Sequence, residues 1–209
     1  MNFNRPGFLL AAGFLLAVIL IFSVQKSYAA GPGLLVLSKE PLKGQALNVE
    51  NTFMAASQKY NVPIEILRAI GWVESHWDMR SGQESSDHAY GVMGLRSSEW
   101  SKSLDRSIAV SGFNAENVKT DLQSNVFAGA ALLADIAKQQ NISGRDLESW
   151  APAVVGYEEL TDPKLADIAV QLIYGAILNG MGRSFPDGSI LAIAPIKISV
   201  DRARSFIKK

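Results

Sequence analysis

PIEILRAIGWVESHW, residues Pro63–Trp77, has the apolar spacing of an amphipathic helix that carries an acid on its apolar side. Leu67, Ile70 and Glu74 stand at i, i+3 and i+7, which puts the acid on the stripe of residues that face a core. With the helix ending around Trp77, Glu74 also lies near a C-terminus, where the helix dipole repels negative charge. Burial and dipole both disfavour the ionised form, so the carboxyl is expected to hold its proton above the ordinary range. Such a carboxyl suits general acid catalysis at a glycosidic bond. The alternative is a solvated Glu at a frayed helix end.

Downstream, Ser81–Ala89 (SGQESSDHA) is a polar loop, and Tyr90-Gly91-Val92-Met93-Gly94-Leu95 follows it. Further on stand Asn125-Val126-Phe127-Ala128-Gly129-Ala130 and Ala153-Val154-Val155-Gly156-Tyr157. With Glu74-Ser75 at their head, these segments resemble the lysozyme-like fold of goose-type lysozymes and soluble lytic transglycosylases. That family has a Glu-Ser pair ending a helix, a GLMQ-type loop, an Asn-x-x-x-Gly-Ala helix and a Tyr-Asn-x-Gly turn. The resemblance covers roughly Ala46 to Gly180. Two places depart from it. Gly94 stands where the family has a Gln that contacts substrate, and Tyr157-Glu158-Glu159-Leu160 has neither the Asn nor the Gly of the turn. The GVM loop looks like the one in lysozyme-like segments ahead of some bacterial cell-wall amidases.

The resemblance implies a mainly α lysozyme-like domain with little or no sheet, here residues 48–182. It implies peptidoglycan glycan strands as the substrate and cleavage of the MurNAc–GlcNAc β-1,4 bond. Glu74 alone would protonate the bridging oxygen and then deprotonate the muramic C6 hydroxyl, giving a 1,6-anhydro product with no cofactor. Ser75 resembles the family's Ser that hydrogen-bonds near the reacting sugar; its alternative is a hydroxyl bonded to its own helix. Tyr157 resembles the family's Tyr near the acid, or is a core residue. Tyr90, Met93 and Trp77 are candidates for lining a sugar groove, with Trp72 in the core. Gly91 and Asn125 are supporting residues, Asn125 holding the loop after Glu74 or else serving as an N-cap or surface Asn. A hydrolase would need a second carboxylate, for which Asp78, Glu84 and Asp87 are available in the polar segment. The two departures motivate a second function class, a peptidoglycan-binding or envelope scaffold domain without catalysis.

Composition narrows the remaining classes. Of 209 residues, 48% are hydrophobic, enough for a real core, and the formal net charge is zero. No basic patch recommends a nucleic-acid partner. With two His and no Cys the chain is short of metal ligands, no HExxH spacing exists, and no G-x-S-x-G elbow offers a Ser nucleophile. Residues 1–29 read as an export signal: Arg5, the apolar run Phe8–Phe22, then Ser27-Tyr28-Ala29 with small residues at −3 and −1 of a cut after Ala29. The alternative is an uncleaved anchor attaching the chain to a membrane through residues 8–24, at the low edge of spanning length. Both place the domain outside, in a periplasm or beyond the cell.

Elsewhere, residues 30–47 read as a linker and Glu50–Tyr60 as a helix. Ser97–Leu104 and Val110–Phe113 are short and ambiguous. Asp121–Gln140 is a long helix, Leu147–Tyr157 a helix interrupted near Pro152, and Asp162 caps a helix from Pro163 to about Leu178 that Gly180-Met181-Gly182 ends. Residues 183–209 form a C-terminal extension in which Ile190–Val200 alternates like an edge strand limited by Pro195.

Overall fold

The computed structural model of the protein describes residues 41–208; the segment read as signal or anchor and the start of the linker lie outside the described residues. Helix α1 (Gly44–Tyr60) begins six residues before the expected Glu50, because its first amides find distant acceptors: Gln45 N donates to Asp187 Oδ2 (2.7 Å) and Ala46 N to Ser189 Oγ (3.0 Å). Helix α2 (Ile64–Ser75) follows Pro63, then a short hairpin pairs β1 (Ala89–Tyr90) with β2 (Leu95–Arg96). Next come α3 (Ser103–Ser111), α4 (Ala115–Thr120) and α5 (Leu122–Gln139). A 3₁₀ turn at Leu147–Trp150 leads into α6 (Ala151–Tyr157), so Pro152 falls in a first turn, where its missing N–H costs no hydrogen bond. Helix α7 (Pro163–Asn179) starts on the Asp162 cap, whose carboxylate accepts from Lys164 N and Leu165 N. A second hairpin, β3 (Met181–Ser184) with β4 (Ile190–Ile193), and α8 (Val200–Phe206) complete the chain.

The mainly α expectation is correct. Helix α5 is buried along most of its length, with Val126, Ala128, Ala130, Leu132 and Leu133 fully buried, and it packs against α1, α3, α4 and α6. Around it lie Phe53, Ile66, Leu67, Ile70, Ile173 and Tyr174, all at or near zero exposure. Each such side chain contributes about 1.5–3 kcal/mol by leaving water. The β3–β4 hairpin and α8 replace a plain extension: Gly180 ends α7, Met181 opens a strand, and the alternation from Ile190 stops at Ile193, two residues before Pro195. No helix among the described residues is long and apolar enough to cross a membrane.

What positions the site is the way α2 ends. His76 and Trp77 both adopt left-handed backbone (φ 54° and 61°), and their amides return to Trp72 O (2.9 Å) and Gly71 O (3.1 Å). Two adjacent non-glycine residues in this region store strain. Trp77 offsets it by turning its indole into the core, 2% exposed, with Nε1 donating to Arg68 O. The groove role expected for Trp77 is therefore wrong, and Trp72, expected in the core, is the partly exposed member of the pair. Arg183 of β3 braces the same turn by donating to His76 O (2.7 Å) and Asp78 Oδ2 (3.2 Å).

The Gly91–Gly94 turn is bolted to α5 by one side chain. Asn125 Oδ1 accepts from Met93 N (2.8 Å), and Nδ2 donates to Tyr90 O (3.2 Å) and Val118 O (2.9 Å). Gly91 has φ +67°, and a Cβ there would lie 2.2 Å from Asn125 Nδ2, so this close approach needs a glycine. Asn125→Ala removes the partner of Met93 N, Tyr90 O and Val118 O at once and is expected to lower unfolding free energy by about 3 kcal/mol. Urea denaturation measures it; a change within about 0.5 kcal/mol would show the turn to be held by other means.

Candidate active site

Glu74 is the penultimate residue of α2, and its side chain is 6% exposed. Directly over it lies the backbone of Gly94, at φ +60°; a Cβ on that residue would stand 2.0 Å from Glu74 Oε2. Two residues on, Arg96 leaves β2 and turns its guanidinium inward, 7% exposed. Arg96 Nη2 donates to Glu74 Oε2 (2.7 Å) and to Asp87 Oδ2 (2.8 Å), and Nη1 donates to Gly94 O (2.9 Å). Glu158, just past the end of α6, brings a third carboxyl, 3% exposed, with Oε2 4.0 Å from Arg96 Nη1. Sequence reasoning missed Arg96 altogether and met Glu158 only as a departure from a turn motif.

The electrostatics follow from one cation among three acids. Burial raises the Glu74 pKa and outweighs the Arg96 charge that lowers it, with Asp87 adding to the rise. Burial also drives Glu158 well above the usual carboxylate range, reinforced by the charge of Glu74. For Asp87, burial pushes upward but Arg96 and the Ser85 hydroxyl prevail and hold it below the ordinary value. Burial opposes the Arg96 charge, and the surrounding carboxyls overcome it, so the guanidinium stays protonated. As two carboxylates, Glu158 and Glu74 could only repel. With a proton on one of them the repulsion is relieved, and the protonated carboxyl becomes a donor facing the other.

The remaining candidates divide into those behind the acid and those at the surface. Ser75 is buried; its hydroxyl faces Gly71 O (3.0 Å) and Val92 O (2.9 Å) and accepts from Asp78 N (3.1 Å), so it ties the helix end to the turn. Met93 is fully buried, with a Cβ on Gly129 only 2.8 Å from its Cγ, which places it in the core and not on a groove wall. Tyr157 is 2% exposed and donates its hydroxyl to Met93 O (2.6 Å). Tyr90 is partly exposed, donates to Glu84 Oε2 (3.2 Å) and lies under Lys119 Nζ (4.5 Å from the ring centre). Near it, His88 meets Trp100, 46% exposed, edge to face. Of the three acids considered as second carboxylates, Asp78 pairs with Arg183, Glu84 with His88, and only Asp87 joins Glu74, through the shared Arg96 nitrogen.

Residues 51–166, more than half of the chain, match the family model described as Transglycosylase SLT domain. Neither a curated protein nor a solved structure matches.

The buried Glu158 carboxyl makes stability depend on pH. Its folded pKa lies above its unfolded value, near ~4.3, so as pH rises past that point the unfolded chain releases a proton that the folded chain keeps, and stability falls. Glu158→Gln removes this slope. Its melting temperature should pull ahead of the wild type at about 3–5 °C per pH unit above that point. Parallel melting curves from mildly acidic to neutral pH would show Glu158 to be ionised in the folded protein.

Proposed function

The chain belongs to the Transglycosylase SLT domain family, whose members are peptidoglycan lytic transglycosylases, and on that premise we propose that it cleaves peptidoglycan glycan strands with Glu74 as acid and base. The observation that carries this reading is the Glu74 carboxyl itself. It lies at the end of an apolar helix, is buried under Gly94, and holds its proton more tightly than a free Glu. Glu74 gives that proton to the oxygen between MurNAc and GlcNAc, and the C–O bond breaks as the oxygen takes it. The carboxylate then takes a proton from the C6 hydroxyl of the same muramic residue, whose oxygen closes on the anomeric carbon. Tyr90, on the exposed side, is proposed to contact sugar. Ser75, Met93, Tyr157, Gly91 and Asn125 support the reaction from behind by fixing the turn against the helix.

The substrate sets the place of work. Peptidoglycan lies outside the cytoplasmic membrane, so residues 1–29 are proposed to export the domain, either cut after Ala29 or retained as an anchor.

Full-length protein incubated with purified peptidoglycan should release anhydromuramic products, read by mass spectrometry, and Glu74→Gln should release none while keeping its fold. Mainly reducing muramic ends would instead assign a water-activating role to Asp87. A second reading, a glycan-binding or scaffold domain without catalysis, is favoured by the Arg96–Glu74 ion pair, which stabilises the ionised acid. Binding to peptidoglycan sacculi with no product from the wild type would select it.

The pH profile gives a separate check. The first step needs protonated Glu74, and burial raises the pKa of that group. Cleavage should persist at mildly acidic pH and fade as pH rises through the raised value. A rate still climbing into alkaline pH would remove Glu74 as the donor.

A further inference from the structure

The reaction drawn above leaves one buried acid without a task and one buried cation working against it. Arg96 Nη2 is 2.7 Å from Glu74, and this pairing favours the ionised carboxylate that cannot donate. Glu158 is the idle acid. Among the described residues neither of its oxygens accepts a hydrogen bond, and both are fully buried. The groups that face it are Glu74 from α2, Arg96 from β2 and Asp87 from the loop before β1. Its chain neighbours are engaged elsewhere: Tyr157 with Met93 O, and Glu159 with Arg106 and the Lys102 amide. The nearer bonds of Arg96 go to Glu74, Asp87 and Gly94 O, while Glu158 stays 4.0 Å away. A carboxylate buried without donors is unfavourable, whereas a protonated carboxyl in the same place is itself a donor, with Glu74 as its acceptor.

Resting on the reading of Glu74 as the acid, we propose that Glu158 is the proton store of the site, sharing one proton with Glu74 and passing it across as Glu74 protonates the glycosidic oxygen. The proton moves from Glu158 to Glu74 and from Glu74 to the bridging oxygen, whose bond to the anomeric carbon breaks. The attacking hydroxyl then forms the new C–O bond and gives its proton to Glu74, and the pair returns to one shared proton. Arg96 balances the charge that the pair gains in between. Glu158 acts through Glu74 and does not touch sugar, so it is a positioning residue. The acid stays loaded above the ordinary carboxylate range despite its ion pair because the second carboxyl keeps the proton beside it.

The test compares rate against pH for wild-type, Glu158→Gln and Glu158→Asp full-length protein on purified peptidoglycan. In the Gln variant Glu74 faces Arg96 with no store beside it. Its activity should survive at the acidic end, with the falling limb displaced to lower pH by about one unit or more and KM unchanged. The Asp variant should move the limb back toward the wild type. An unmoved limb, or the same fractional loss at every pH, overturns the proposal. Activity in Glu74→Gln would instead overturn the reading on which it rests, so the two failures are distinct. A carbon-13 titration of the Glu carboxyls in the wild type decides the matter even if Glu158→Gln does not fold. One Glu carboxyl should keep its proton well above the ordinary carboxylate range, and ionisation of every Glu within that range contradicts the store.

Discussion

A single guanidinium, that of Arg96, stands among three carboxyl groups inside the domain, and the surrounding backbone is arranged to keep it there. A buried cation is tolerated only when its hydrogen bonds are made. Arg96 reaches Glu74 on α2, Asp87 before β1 and the carbonyl of Gly94 in one planar fork. Its own amide is fixed by Ser103 Oγ at the start of α3 (2.9 Å). The end of a helix, a two-stranded hairpin and the start of another helix are thus joined through one side chain. Asn125 does the corresponding work for neutral groups, one turn behind. The candidate chemistry and the local architecture share the same atoms.

Gly94 and Glu158, the two positions that the sequence reading set apart from the family pattern, meet at one place. Taken along the chain, a Gly for Gln and a Glu for Asn look like separate losses. In space both face Glu74: Gly94 because any Cβ there would overlap its carboxylate, Glu158 because it lies beside the same Arg96 guanidinium that holds Glu74.

How much of this was legible depended on whether a residue's role was local. The Leu67–Ile70–Glu74 stripe, the Asp162 cap and the apolar Val126–Ala130 run each follow from residues close by in the chain, where local pattern exposes them. Arg96 sits on a two-residue strand with no period to read, and its partners lie 9, 22 and 62 positions away in sequence. The exchange of Trp72 and Trp77 escaped for a different reason: left-handed backbone at two non-glycine residues rotates the chain end by an amount no pattern encodes. Helix α8 and strand β3 are short and draw their order from packing against α7 and β4.

The hairpin at Met181–Ile193 reaches back to both helices ahead of the site, holding the first amides of α1 with Asp187 and Ser189 and the end of α2 with Arg183. The match to the family stops at residue 166, one turn into α7. The portion that similarity recognises is therefore smaller than the portion that folds. A segment excised at the limits of resemblance would carry the whole acid cluster yet cut α1 short and leave α2 unbraced, so any transplant of this domain into another protein has to travel with the start of α1 and with its tail.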